Sequence, residues 1–153
     1  MTTSPACCIP NDTVIRAARL MKEMDIGVVP VVESDRSRKL VGVVTDRDLC
    51  VWVVAEGQDP KTVQVQSCMT THLVSCQPDD AVEIAMDLMR EHLIRRILVV
   101  DRQGIIQGVV SMADLVRNSD LPSSGIHETL KQVSEPTAAA SRPREAERYR
   151  EPV

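Results

Sequence analysis

The chain has 153 residues, of which 43% are hydrophobic and 26% are charged, so it has the composition of an ordinary globular domain. A chain of this length buries about 70% of its unfolded surface on folding, so it needs no disulfide or metal for stability. A net charge of −4, no Phe, one Trp and one Tyr argue against nucleic-acid binding through bulk charge or base stacking.

The sequence repeats itself with an offset of 68 residues. Residues 1–32 and 69–100 are identical at 14 of 32 positions. After a two-residue deletion, Gly42 aligns with Gly108, Thr45 with Ser111 and Asp48 with Asp114. Self-similarity of this kind is typical of a duplicated supersecondary unit.

Each copy begins with a predicted short strand, at 6–9 and at 73–77, that ends at a proline. Asp12 or Asp80 then suits the N-cap of a helix. The helix carries apolar residues at the i, i+3, i+4, i+7 spacing of one buried face. They are Val14, Ala17, Ala18 and Met21 in the first copy, and Val82, Ala85, Met86 and Met89 in the second.

Two apolar strands follow the helix in each copy and predict a hairpin, 28–32 with 40–44 and then 97–100 with 105–110. The second strand leads directly into another helix, from Thr45 or Ser111. The element order is therefore β-α-β-β-α, twice.

These patterns divide the chain into five segments. The first repeat spans 1–55, a linker with a lead-in strand spans 56–68, and the second repeat spans 69–118. Residues 119–135 are expected to hold a short C-terminal helix, at 126–134. Residues 136–153 have too few apolar side chains to offset the entropy of ordering and are predicted to be disordered.

The five cysteines are an odd number and lie inside apolar segments, which is typical of reduced thiols in the cytoplasm. The sequence opens without a signal-peptide pattern. Its longest apolar run, residues 49–55, is far shorter than the ~20 residues that cross a bilayer. We therefore expect a cytoplasmic protein without a membrane partner.

The repeated pattern M-T, P-x-D-x-V-x-x-A-x-x-L-M, h-P-V-V and G-V-V-[TS]-x-x-D-L resembles the cystathionine β-synthase (CBS) domain, and two copies in tandem resemble a Bateman module. The resemblance covers residues 1–118, about three quarters of the chain. It implies an α/β (α+β) fold in which two repeats are related by a pseudo-twofold axis and small sheets pack against helices. It also implies a homodimer that forms a disc. In this family, adenine nucleotides or related adenosyl ligands bind in clefts between the repeats as regulatory ligands.

The family resemblance assigns ribose binding to Asp48 and Asp114. Each lies three residues after a hydroxyl, Thr45 or Ser111, where a strand gives way to a helix N-terminus that favours a phosphate. The hydroxyl can donate to a phosphate oxygen, and the carboxylate can accept from two ribose hydroxyls. The alternative is a plain capping box, since [ST]-x-x-[DE] satisfies a helix start without any ligand.

Basic side chains near these positions are candidates for phosphate binding. Arg95 and Arg96 precede the second hairpin, where the first copy has Gly27 and Val28, and Arg47 lies at a helix start. A guanidinium offers a planar fork for phosphate oxygens. The alternative for each arginine is a solvated surface position.

The adenine ring needs an apolar slot more than a special side chain. By resemblance, Ala6 and Ile26 form a wall that faces Ser111 and Asp114, while Val74 and Ile94 face Thr45 and Asp48. Taken singly, each of the four residues also suits the core.

Metal binding and catalysis receive little support. The spacing Cys68, His72, Cys76 lacks the paired C-x-x-C of a zinc site, and Cys76 repeats Cys8, which suits a buried strand. The sequence shows no nucleophile beside a base. Trp52 is expected to be half-buried at a contact between protomers.

Two functions remain open. The first is a non-catalytic sensor that binds AMP, ADP, ATP or S-adenosylmethionine between its repeats and signals to an unknown downstream protein by a conformational change. The second is a ligand-free interaction protein that acts through dimerisation and protein partners. Neither involves a catalytic residue, a metal or a resident cofactor.

Overall fold

The structure is a computed structural model, and it describes residues 1–118 and 123–134. In chain order its strands and helices are β1 (Thr2–Thr3), α1 (Val14–Met24), β2 (Val28–Val32), β3 (Leu40–Thr45), α2 (Asp46–Leu49), β4 (Ser75–Cys76), α3 (Val82–His92), β5 (Arg96–Val100), β6 (Ile106–Ser111), α4 (Met112–Asn118) and α5 (Ser123–Ser134). A π-helical turn (Cys50–Val54) extends α2, and a 3₁₀ turn (Val65–Ser67) lies between the repeats. The predicted order β-α-β-β-α is present twice, which confirms the fold class.

The two hairpins form the centre of the fold. β2 pairs antiparallel with β3, and β5 with β6, and both pairs shift register at the same place in the repeat, Val31/Val32 and Val99/Val100. Every residue of β2 is buried, as expected for a run of β-branched residues covered on both faces. Val29 and Val31 pack with α1, whereas Val32 packs against the other repeat.

Each repeat lends its first residues to the sheet of the other. β1 pairs antiparallel with β6, so that Thr2 lies opposite Val109. Thr70, in the second repeat, exchanges backbone hydrogen bonds of 2.8 and 2.9 Å with Val43 of β3. A Cβ on Gly108 would lie 2.9 Å from the Thr2 carbonyl oxygen, which explains why this position requires glycine.

The strands predicted at 6–9 and 73–77 are shorter in the structure. The first is a single parallel bridge between Cys8 and Val31, and the second is the two-residue β4. The N-cap prediction was wrong, because Thr13 and Ala81 occupy that position without a side-chain hydrogen bond.

Asp12 and Asp80 instead close the turn before each helix. The Asp12 carboxylate accepts the N–H of Ile9 at 2.9 Å, and Asp80 accepts that of Gln77 at 2.7 Å. These aspartates stabilise the turn after the first strand, where a proline offers no N–H of its own.

The buried side chains form three groups. The first core includes Val14, Ala17, Val29, Val44 and Val65. The second core includes Ala85, Met86, Met89, Ile97 and Leu115. Cys7, Val32, Leu98 and Ile106 form a third group, which joins the two repeats. Trp52 is partly buried against the first core.

The segments outside the repeats pack onto them. Residues 65–67 form a 3₁₀ turn and not the predicted lead-in strand, and Val65 is fully buried in the first core. The predicted C-terminal helix begins at Ser123, three residues earlier than expected, and its Val133 lies in the second core. The predicted disordered tail, 136–153, lies outside the described residues. Within the described ranges, each helix is too short or too polar to cross a membrane.

Candidate ligand-binding site

The junction between β3 and α2 is held by a reciprocal capping box. Oδ2 of Asp48 accepts the backbone N–H of Thr45 at 2.9 Å and its hydroxyl at 2.6 Å. The N–H of Asp48 donates back to Thr45 Oγ1 at 3.2 Å. This aspartate therefore fixes the start of α2, as the capping alternative predicts.

The junction between β6 and α4 repeats the same bonds. Oδ2 of Asp114 accepts from the N–H and the hydroxyl of Ser111 at 2.9 and 2.8 Å, and Asp114 N–H donates to Ser111 Oγ at 3.1 Å. In both copies the hydroxyl donates to the carboxylate, so it must rotate to donate to a phosphate.

The two aspartates differ in exposure. Asp48 is 3% exposed, whereas the side chain of Asp114 is 23% exposed, with the N-terminal ammonium 3.7 Å from its Oδ1. Burial acts to raise the pKa of Asp114, but the two hydrogen bonds from Ser111 and the nearby positive charges outweigh it and lower the pKa. Asp114 is therefore a carboxylate at neutral pH.

Arg96 brings a positive charge from the second repeat to the first. A Cβ on Gly27 would lie 3.4 Å from Nη2 of Arg96 and 2.8 Å from Oδ2 of Asp46. The guanidinium thus lies beside the residues that flank the Thr45 junction, and glycine at position 27 leaves room for it. Arg96 therefore brings a positive charge of the second repeat to the Thr45 junction, just as the Met1 ammonium brings one of the first repeat to Asp114.

Arg47 lies within the Thr45–Asp48 junction, whereas Arg95 lies elsewhere. Nε of Arg95 donates to the carbonyl of Val133 at 3.4 Å, near the end of α5. Arg47 is exposed on α2. The structure therefore separates two arginines that are adjacent in sequence.

The four predicted adenine-wall residues are all partly buried. Ile26 packs against the first core, and Val74 and Ile94 pack against the second. Ile26 and Ile94 follow residues with left-handed backbones, Asp25 (φ 52°) and Leu93 (φ 54°). Ala6 lies between the buried Pro5 and Cys7.

An open cavity of about 550 Å³, which the sequence did not reveal, lies at the start of α3. We call it the α3 cavity. Asp114 reaches it from α4, but Ala6 and Ile26 are not among the described residues that line it. The lining includes Pro78, Asp80, Val82, Glu83, Val110 and Asp114. Val82, expected on the buried face of α3, is 40% exposed here, because no described segment covers it.

Four of the five cysteines are buried and all five are free thiols. Burial raises the pKa of Cys8 and of Cys68 to about 11, with nearby carboxylates adding to the effect. Cys68 and Cys76 lie in different cores. Among residues 1–118 and 123–134, no group of three His, Cys, Asp or Glu side chains is arranged to hold a metal ion.

The free energy of unfolding is expected to fall as the pH rises from about 9 to about 11. In this range the folded state keeps the protons on Cys8 and Cys68, whereas the unfolded chain releases them near pH 9.0. Below that range both states hold these protons, and the two thiols add no pH dependence. Urea unfolding at about pH 8.5 and 10.5 measures the loss. Cys68→Ala should reduce it and exposed Cys50→Ser should not; equal losses in both variants would contradict the assignment.

Two β-α-β-β-α repeats, each with a hydroxyl and an aspartate at the end of its hairpin, define a tandem CBS-domain module. The CBS domain matches residues 1–55 and 65–120, and the chain belongs to this family. It is 42% identical over 118 residues to the CBS domain-containing protein YhcV of Bacillus subtilis. The aligned region covers 77% of this chain and 81% of YhcV.

Solved structures agree with this assignment. Hypoxic Response Protein I with two coordinated zinc ions matches with a TM-score of 0.68 and 30% identity, over 80% of this chain and 95% of that one. A hexameric CBS-CP12 protein from bloom-forming cyanobacteria matches with a TM-score of 0.67 and 31% identity, over 78% of this chain and 68% of that one.

Proposed function

We propose that this CBS-domain pair is a non-catalytic sensor that binds an adenosine-containing ligand between its repeats. The observation that carries the proposal is the position of Arg96, a residue of the second repeat, beside the Thr45–Asp48 junction of the first. A phosphate at that junction has a guanidinium and a helix start to bind. Asp48 supplies the carboxylate for the ribose.

The residues around this junction suit the rest of the ligand. Val74 and Ile94, from the second repeat, are half-buried and offer apolar surface for adenine. Arg47 is exposed on the adjacent helix and can approach a second phosphate. The Ser111–Asp114 junction, with Ala6 and Ile26 as its wall, is the second proposed site. Arg95 bonds to α5, so its phosphate role requires that it leave Val133.

Ligand binding between repeats also supplies a mechanism for signalling. The two repeats contact each other through the group of Cys7, Val32, Leu98 and Ile106 and through β1. A ligand that bonds to Arg96 and to Asp48 ties the repeats in one relative orientation and shifts the population towards it. A downstream protein then distinguishes the two orientations.

Thermal unfolding in the presence of AMP, ADP, ATP, S-adenosylmethionine or NAD at millimolar concentration tests the proposal. A ligand at 100 times its dissociation constant stabilises the fold by about 2.7 kcal/mol, which raises Tm by several degrees for a chain of this size. Arg96→Ala should reduce this rise. Arg102→Ala changes an exposed arginine in the turn between β5 and β6 and should leave it intact. No rise with any of the five compounds would contradict the proposal.

We further propose that the protein acts as a homodimer in the cytoplasm. Val51 and Val54 are 37% and 68% exposed on the π-helical turn that follows α2, and a second copy of the chain would cover them in a dimer. The free thiols fit the reducing conditions of that compartment.

A further inference from the structure

Two side chains of opposite charge border the space above Gly27. From the place that a Cβ on Gly27 would take, Oδ2 of Asp46 lies at 2.8 Å and Nη2 of Arg96 at 3.4 Å. Both residues are exposed, and the ion pairs among the described residues do not include this pair. A ligand group that approaches Arg96 through this space therefore also meets the carboxylate of Asp46.

Backbone hydrogen bonds hold the Asp46 carboxylate in this position. Its Oδ1 accepts the N–H of Arg47 at 2.7 Å, and the N–H of Asp46 donates to the carbonyl of Gly27 at 3.2 Å. The first bond occupies one of the amides at the start of α2, which are the donors that a helix leaves without a partner. A ligand phosphate at this junction therefore competes with a carboxylate that is already in place.

The formal charges of the junction cancel. Asp46 and Asp48 are negative, and Arg47 and Arg96 are positive. One phosphate is balanced by Arg96, but each further phosphate brings more negative charge to the surroundings of Asp46. Arg47 can approach a second phosphate, but its exposed side chain loses rotamer freedom when it does so. The fixed carboxylate of Asp46 has no such cost, so repulsion grows faster than attraction as phosphates are added.

The second repeat has a different arrangement at the equivalent positions. Met112 takes the place of Asp46, and Arg95 takes the place of Gly27. Met112 is 4% exposed and belongs to the second core. The carboxylate beside the phosphate position is thus a feature of the first junction and is not required by the fold of the repeat.

We propose that Asp46 is a specificity-determining residue of the Thr45–Asp48 junction, and that it makes this site prefer an adenosine ligand with one phosphate to a ligand with two or three. This preference rests on the proposed function, because it requires an adenosine ligand at the junction. Specificity is a difference of affinities, and a like charge placed against the competing ligand is one way to obtain it. Because Asp46 is exposed, salt screens its repulsion.

Isothermal titration with AMP, ADP and ATP in the absence of divalent cations tests the preference. The full chain carries Asp114→Ala, so that the second proposed site lacks its carboxylate. At low salt, AMP should bind about fivefold or more tightly than ATP, with ADP between them. Asp46→Asn keeps an oxygen that accepts the N–H of Arg47 but removes the charge. It should bring the affinities for AMP and ATP to within about twofold, mainly by strengthening ATP.

Asp35→Asn is the control, because it removes the same charge from an exposed position in the turn at the other end of the β2–β3 hairpin. It should leave the ratio of the two affinities unchanged. Raising the salt concentration should reduce the ratio in the chain that keeps Asp46 and should hardly change it in Asp46→Asn. A purely structural role of Asp46 would weaken all three nucleotides alike. The same pair of variants without Asp114→Ala gives the change in ratio independently of that substitution.

The outcomes separate this preference from the proposed sensor function. ATP binding as tightly as AMP while Asp46 is present overturns the preference and leaves the sensor function standing. Equal effects of Asp46→Asn and Asp35→Asn also overturn the preference alone. Nucleotide binding that is lost in Asp114→Ala would place the ligand at the second junction, with the same consequence. Absence of binding by all three nucleotides to the unaltered chain contradicts both proposals.

Discussion

Replacing Met89 with alanine is expected to lower the free energy of unfolding by about 2–5 kcal/mol. Met89 is fully buried on α3 and belongs to the same core as Ile97 and Met112. The loss combines the transfer energy of the removed atoms with the cost of a cavity.

Urea unfolding of the variant and the parent protein measures this loss. Met24→Ala is the control, since Met24 is 49% exposed at the end of α1, and it should change stability by less than about 0.5 kcal/mol. Met89→Leu keeps most of the volume and should cost less than about 1.5 kcal/mol. A loss below 1.5 kcal/mol for Met89→Ala would show that the second core collapses around the gap.

Elements with a long apolar pattern were predictable from the sequence. β2 has the predicted bounds, and the hairpins follow from paired apolar runs rich in β-branched residues. The exchange of β1 and Thr70 between repeats was not predictable, because two-residue pairings carry no periodicity. Val82 was misplaced because its apolar spacing matches that of Val14, and only the linker, which is distant in sequence, decides which of them is covered.

The sequence predicted which residues could form the candidate site but not how they are arranged in space. Duplication located both hydroxyl–aspartate pairs, and the structure shows the same three bonds in each. The sequence alone did not distinguish Arg95 from Arg96 as a phosphate-binding residue. Consecutive residues at the start of a strand, however, point in opposite directions. Arg95 bonds to Val133 at the end of α5, and Arg96 lies beside Gly27. Asp48 is buried whereas Asp114 is partly exposed, a difference that their shared local pattern does not record.

Asp48→Ala is expected to lower the free energy of unfolding by about 1–3 kcal/mol and to weaken the proposed ligand by about 1–3 kcal/mol, or roughly 5- to 150-fold. The two losses have separate causes. Stability falls because Thr45 loses the acceptor of its N–H and hydroxyl at a partly buried position. Affinity falls because the ribose loses a charged acceptor.

Asp48→Asn separates these two causes. An amide oxygen still accepts from Thr45, so this variant should keep most of the stability. It loses the negative charge that would accept hydrogen bonds from the ribose. Asp114→Ala is the matched control for the cap, because it removes the same two bonds to the carboxylate at a more exposed junction and should cost less stability. Denaturant unfolding and isothermal titration with the stabilising nucleotide give both quantities for each variant. If Asp48→Ala loses stability but binds the nucleotide with unchanged affinity, Asp48 caps α2 and does not bind ribose.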